Sequence, residues 1–133
     1  IIMCLLAMEM LAKTGKDPAE TYQFLTAQLG QTCFGRIDAP ANKWQKARLK
    51  SLNPDDLQTD RLAGDPILEV RTCSSYGNQP LGGLKVVTAK GWLVARPSGT
   101  EDLYKIYGES SKGQAGLDKL LQEGQELVDK ALN

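Results

Sequence analysis

Residues 82–110, GGLKVVTAKGWLVARPSGTEDLYKIYGES, decide the fold of this chain. Three short runs rich in β-branched, aliphatic and aromatic residues, 84–88, 92–96 and 103–107, predict three strands. A tight turn at 89–91 and a loop at 97–102 join them. Connections this short force neighbouring strands to pair antiparallel. The stretch therefore predicts an antiparallel sheet.

An amphipathic helix follows the predicted strands at the end of the sequence. One apolar stripe carries Leu117, Leu120, Leu121, Leu127, Val128, Ala131 and Leu132. We expect this stripe to cover one face of the sheet. The predicted fold class is α+β, an antiparallel sheet covered by helices.

Residues 1–30 predict two helices joined by a turn at 14–16. Residues 1–12 are almost wholly apolar, which is typical of a helix buried on every side within a larger protein. Asp17 and Pro18 suit the start of a second helix, and Gly30 suits its end. We interpret residues 1–30 as a helical remnant of a preceding domain with its linker, and 31–133 as the C-terminal domain. We therefore expect the chain to be a fragment of a longer protein.

Shorter elements are predicted between these two regions. They are a strand at 36–39, a helix from Asn42 to about Leu52, a helical turn at 53–56, a strand at 67–72 and a turn-forming loop at 77–83. Trp44 and Ala47 lie three residues apart within that helix. Alternation in the strand puts Leu68 and Val70 on one face, against Glu69 and Arg71 on the other.

The composition excludes several classes of function. Basic and acidic residues balance at 16 each, so the chain lacks the basic excess expected of a protein that binds nucleic acid or a membrane surface. The chain contains no histidine, which rules out a Ser-His-Asp triad and a His-ligated zinc site within it. Three widely spaced cysteines without a CxxC motif predict buried or incidental thiols in a reducing compartment, and we expect a cytoplasmic protein.

The loop at 96–101 has residue types that suit an oxyanion site. Arg96 offers a planar fork that matches two phosphate oxygens, while Ser98 and Thr100 offer hydroxyl donors. Gly99 would let the backbone turn so that successive N–H groups form an anion nest. A plain polar hairpin turn remains the alternative, and the acids Glu101 and Asp102 favour it.

The same loop resembles the phosphate-binding loop in the last domain of the phosphohexomutase superfamily. The longer run at 82–110 is similar to the bacterial phosphoglucomutases, as are residues 62–67 and 36–40, and the similarity reaches back through residues 1–6. It implies a TATA-box-binding-protein-like fold for the last domain. It also implies that Arg96, Ser98, Gly99, Thr100 and Lys105 bind the phosphate of a sugar phosphate. Asp102 departs from the proline common at this place in the phosphomannose and phosphoglucosamine mutases.

The resemblance further implies a division of labour with other domains of the same chain. Phosphoryl transfer from a phosphoserine with Mg²⁺ is expected in earlier domains, so this fragment should hold no cofactor or catalytic residue and should be inactive alone. Its expected partners are those domains and glucose 1-phosphate, glucose 6-phosphate and glucose 1,6-bisphosphate. The alternatives are the equivalent domain of a phosphomannomutase or phosphoglucosamine mutase, and a non-catalytic α+β interaction module.

Overall fold

The computed structural model describes residues 1–132, which divide into two compact units, Ile1–Gln31 and the residues from Thr32 onward. The first unit consists of helices α1 (Ile2–Thr14) and α2 (Pro18–Thr26). Asp17 begins α2 in a capping box, in which its carboxylate accepts from the Glu20 N–H at 2.8 Å. The two-helix prediction is confirmed, while the assignment of this unit to a preceding domain stays a prediction.

The predicted end of α2 at Gly30 is wrong. The helix ends at Thr26, whose hydroxyl donates to the Tyr22 carbonyl at 2.8 Å. Beyond it the Leu29 N–H donates to the Thr26 carbonyl at 3.0 Å, a tighter turn than an α-helix makes. Gly30, with φ +94°, follows this turn instead of capping the helix directly.

The second unit is built on an antiparallel sheet of six strands. Its strands are β1 (Cys33–Pro40), β2 (Arg61–Leu62), β3 (Asp65–Cys73), β4 (Pro80–Thr88), β5 (Gly91–Pro97) and β6 (Leu103–Ser110). They lie in the order β1-β6-β5-β4-β3-β2. The helices of this unit are α3 (Lys43–Ser51), a single 3₁₀ turn (Pro54–Asp56) and α4 (Gly113–Leu132). The predicted α+β class is confirmed.

One face of the sheet packs against α3 and α4. The largest fully buried side chains of the core are Leu49, Leu62, Leu84, Val86, Leu93, Tyr104, Ile106, Leu117, Leu120 and Val128. Four members of the stripe predicted on α4, Leu117, Leu120, Leu121 and Val128, are buried, and the other three are half-buried at its C-terminal end. The hydrophobic effect therefore fixes which face of the sheet is left for polar side chains.

Helix α3 begins as predicted, but its apolar pair does not face the core. Asn42 caps the helix in a capping box with Gln45. Leu49 is its buried residue, whereas Trp44 remains 86% exposed and Ala47 is also exposed. The three-residue spacing of Trp44 and Ala47 thus fits a helix, but it does not identify the face of the helix that is buried.

The alternation predicted for β3 is broken by a bulge. Ile67 pairs with Thr88 and Glu69 pairs with Val87, which leaves Leu68 as an extra residue. Leu68 is consequently 64% exposed, and Ile67 and Val70 are the residues that pack on the core. The prediction that Leu68 and Val70 share a buried face is wrong for this reason.

The strands are longer than their local sequence indicates. β1 begins at Cys33 because residues 33–35 pair with the far end of β6. β4 begins at Pro80, so Gly82 and Gly83 lie within a strand and the loop predicted at 77–83 is a shorter turn. The Ser74 N–H closes that turn on the Gln79 carbonyl at 2.7 Å.

The three cysteines are free and differ in their exposure. Cys4 is exposed and Cys33 and Cys73 are partly buried, so none of the three is a fully buried thiol. Within residues 1–132, no helix combines the length and the apolar character needed to cross a bilayer.

Candidate functional site

A hairpin between β5 and β6 presents the predicted site residues at one end of the sheet. The Ser98 N–H donates to the Leu103 carbonyl at 2.9 Å and closes the connecting loop, residues 98–102. Arg96 and Lys105 are direct cross-strand partners. Directly paired residues of antiparallel strands share a face, with Cβ atoms about 5 Å apart. The register therefore places two cations side by side at the base of the loop.

Arg96 is exposed, and its guanidinium makes no ion pair or hydrogen bond with any residue among 1–132. Its backbone is held by a close approach from β4. A Cβ built on Gly83 would lie 3.0 Å from the Arg96 Cα and 2.2 Å from the Ala95 carbonyl oxygen. Only glycine fits this contact, so Gly83 helps to fix the strand from which the guanidinium projects.

Lys105 and Ser98 both contact the carboxylate of Glu101. The Lys105 Nζ lies 3.1 Å from Glu101 Oε2, and the Ser98 hydroxyl donates to the same oxygen at 3.3 Å. The Lys105 hydrogen bond and charge, and then the Ser98 hydrogen bond, lower the pKa of Glu101 below its ordinary value. Glu101 is therefore ionised at neutral pH and neutralises part of the positive charge of the site.

Gly99 and Thr100 form the exposed tip of the loop. Gly99 does not take a positive φ, and a Cβ placed on it would meet nothing within 4 Å. The form of anion nest that needs a left-handed residue is therefore absent at Gly99, while binding of an anion by the loop stays a prediction. Thr100 is exposed, and its hydroxyl has no hydrogen-bond partner among residues 1–132.

The opposite side of the loop is held by α3. The Lys46 Nζ donates to the Glu101 carbonyl at 2.7 Å and lies 3.3 Å from Asp102 Oδ1. The Ala41 N–H donates to the Asp102 carbonyl at 3.1 Å. These contacts restrain the loop backbone, and Asp102 pairs with Lys46, whereas Glu101 pairs with Lys105. Sequence reasoning missed Lys46, since no local pattern links it to a loop more than fifty residues later.

A second ion pair borders the site on β1. Arg36 contacts Asp38 through two bonds, Nε to Oδ1 at 2.9 Å and NH2 to Oδ2 at 3.0 Å. Asp38 is the cross-strand partner of Lys105. Arg36 also contributes to lowering the pKa of Glu101. The sequence carried no signal for this neighbourhood, because it arises from the pairing of β1 with β6.

The part of the chain that the structure describes brings together no group of three or more potential metal ligands. The paired acids Asp55 and Asp56 lie in the 3₁₀ turn. Asp56 accepts from the Asn53 N–H at 2.7 Å and pairs with Arg48 at 3.1 Å. The interpretation of this pair of acids as a helix start is therefore confirmed.

Comparison with known proteins shows the family of this chain. Residues 46–126, which include the whole loop and Lys105, match the family model described as "Phosphoglucomutase/phosphomannomutase, C-terminal domain". A phosphoglucomutase from Komagataeibacter xylinus is 45% identical over 128 residues, which cover 96% of this chain and 23% of that protein. The chain thus spans about a quarter of its relative's length. Since the family model matches more than half of the chain, the chain belongs to the phosphoglucomutase/phosphomannomutase C-terminal domain family.

Proposed function

We propose that this domain binds the phosphate of a glucose phosphate that is not being transferred, as part of a phosphoglucomutase that interconverts glucose 1-phosphate and glucose 6-phosphate. We assign this role to Arg96, Ser98, Gly99, Thr100 and Lys105. One observation supports it above the others: an exposed guanidinium without an internal partner stands beside a lysine at the base of a loop with two hydroxyls.

Each residue has a distinct part in the proposed contact. The Arg96 fork donates to two phosphate oxygens, and Lys105 supplies a point charge beside it. Ser98 and Thr100 donate from their hydroxyls. Gly99 leaves open space at the loop tip, so a ligand can approach the backbone closely.

The domain would supply binding energy and orientation, with no bond made or broken by its own residues. Contacts to a remote, non-reacting phosphate can be used to orient the reacting centre. The phosphoserine and the Mg²⁺ implied by the family resemblance would belong to other domains of the enzyme. We propose that the sugar bisphosphate reorients during the cycle, so that each phosphate in turn occupies this loop, and that the chain is inactive alone.

The assignment to glucose phosphates rests on residue 102 and on the named relative. Asp102 makes the contact with Lys46 that a proline at this place would lack. The family itself includes phosphomannomutases. Relative turnover of glucose 1-phosphate, mannose 1-phosphate and glucosamine 1-phosphate by an enzyme containing this chain tests the choice. Faster turnover of either of the last two would overturn it.

The phosphate-binding role is tested by titrating the 133-residue chain with glucose 6-phosphate and following backbone amide shifts. A few charge-assisted bonds in an open loop should give a Kd on the order of millimolar. Shifts should cluster on residues 96–101 and Lys105. Arg96→Ala should weaken binding about tenfold or more, because it removes a charge-assisted contact worth roughly 1.5–3 kcal/mol.

Arg71→Ala is the matched control. Arg71 lies on β3 of the same sheet and already pairs with Glu69, so its loss should leave the titration unchanged. Equal weakening in both variants would indicate a general charge effect and refute a specific role for Arg96. No shift in the wild-type chain at tens of millimolar ligand would count against the phosphate site and favour a plain hairpin turn.

A further inference from the structure

The Glu101 carboxylate contacts two of the side chains that are proposed to hold the phosphate. Its Oε2 atom contacts the Lys105 ammonium at 3.1 Å and accepts from the Ser98 hydroxyl at 3.3 Å. Lys105 and Ser98 are two of the groups proposed to hold the ligand. An anion belonging to the chain itself thus already occupies part of the site.

Ser98 makes the two occupants mutually exclusive. A serine hydroxyl has a single proton to donate, so it cannot donate to Glu101 and to a phosphate oxygen at the same time. The ammonium of Lys105 has three donors, but its side chain is only 20% exposed. Its ion-pair partner Glu101 has a side chain that is 54% exposed and so borders solvent.

The Glu101 backbone is anchored by contacts of its own, whereas its side chain is held, among residues 1–132, by Lys105 and Ser98 alone. Its carbonyl accepts from Lys46 at 2.7 Å and its N–H donates to the Ser98 hydroxyl oxygen at 3.3 Å. The carboxylate is joined to this fixed point by the rotatable bonds of a glutamate and borders solvent. It can therefore turn outward without a rearrangement of the loop.

We propose that Glu101 is an internal competitor for the phosphate site: its carboxylate leaves Lys105 and Ser98 when a phosphate enters and returns to them when the phosphate departs. The inference rests on the proposed phosphate-binding function. As a consequence, the site holds phosphate only briefly. When the phosphate leaves, the Glu101 carboxylate at once accepts the hydrogen bonds of Lys105 and Ser98 in its place. A loop that must release one phosphate of a bisphosphate before accepting the other requires this reversibility.

Glu101→Gln tests the competition. Glutamine preserves the size of the side chain but removes the charge that competes for Lys105. Titration of the 133-residue chain with glucose 6-phosphate should give a Kd about three- to fivefold lower than wild type, the range set by an exposed ion pair. The lower Kd should come from slower dissociation, measurable by exchange broadening of the loop amides.

Asp102→Asn is the matched control. It removes one negative charge from the next residue, but Asp102 contacts Lys46 and makes no contact with Lys105 or Ser98 in the described structure. Its Kd should change by less than about twofold. A direct readout is the Glu101 side-chain carboxyl carbon in the wild-type chain, whose NMR shift should move on saturation with ligand as the carboxylate leaves its partners.

The outcomes separate the two proposals. If wild type binds and Glu101→Gln binds equally or more weakly, Glu101 does not compete, and the inference fails while the phosphate site stands. The inference also fails if Asp102→Asn tightens binding as much as Glu101→Gln, since charge alone then explains the gain. If neither wild type nor Glu101→Gln binds, the phosphate-binding function itself fails.

Discussion

Gly83→Ala probes how closely β4 approaches the strand that carries Arg96. The added Cβ would lie 2.2 Å from the Ala95 carbonyl oxygen, 3.0 Å from the Arg96 Cα and 3.1 Å from the Arg96 Cβ. Two of these neighbours are backbone atoms in the middle of a sheet, so they cannot move aside as a flexible side chain would. Overpacking of this kind costs about 1–3 kcal/mol of unfolding free energy. For a domain of roughly 100 residues, that corresponds to a Tm lower by about 5–20 °C.

The same clash should displace the base of the loop. Because β5 must shift to admit the methyl group, Arg96 moves relative to Lys105, and we expect weaker binding of glucose 6-phosphate as well as lower stability. Urea denaturation followed by circular dichroism measures the loss of stability, and the amide-shift titration measures the weaker binding. Both are read on the same preparations.

Gly99→Ala is the matched control for this substitution. Gly99 lies in the loop that follows Arg96, has no positive φ, and leaves its Cβ position empty to 4 Å. Its stability should stay within about 0.5 kcal/mol of wild type. If Gly83→Ala is equally harmless, the close approach of the two strands is refuted, and with it the account of how Arg96 is positioned.

Two further substitutions test the supports of the loop and of the core. Lys46→Met should remove the hydrogen bond to the Glu101 carbonyl and raise amide hydrogen exchange in residues 98–102 several-fold, with little change elsewhere; unchanged exchange would mean that α3 does not restrain the loop. Tyr104 is 1% exposed, and burial together with its hydrogen bond to Asp129 raises its pKa above the ordinary 10.0. The folded state therefore holds the Tyr104 proton more tightly than the unfolded state does. The stability that this proton contributes is complete below about pH 10 and is lost at higher pH, by up to about 1.4 kcal/mol per pH unit. Tyr104→Phe should flatten the stability profile between about pH 10 and 11 in urea denaturation, and an equally steep profile would contradict the assignment.

The central hairpins and the last helix could be predicted because their signals are local. Alternation and turn residues specify β5 and β6, and a regular apolar stripe specifies α4. The edges of the sheet depend on partners instead. Residues 33–35 become strand because β6 lies beside them. Leu68 is exposed because of a bulge in β3 that the neighbouring sequence does not predict.

The candidate site shows the same division between local and distant information. The residue types of the loop at 96–101 indicated a site suited to an oxyanion, whereas the acids Glu101 and Asp102 argued against such a site. The structure separates these two acids: Glu101 contacts Lys105, and Asp102 contacts Lys46. The ion pair between neighbours four apart in sequence lay within reach of sequence reasoning, while the anchor from α3 depended on tertiary packing. A glycine expected to build a nest was found with ordinary backbone geometry.

The place of β1 in the sheet has a consequence for the order of assembly. β1 precedes every other strand in the chain, yet its single neighbour in the sheet is β6, the last strand. Residues 41–102 must therefore be synthesised before β1 has anything to pair with. Closing so long a stretch is entropically costly and slow compared with forming the hairpins of β3 to β6. A nascent chain should thus form the hairpins first and add β1 at the end, leaving that strand unpaired until the final strand has left the ribosome.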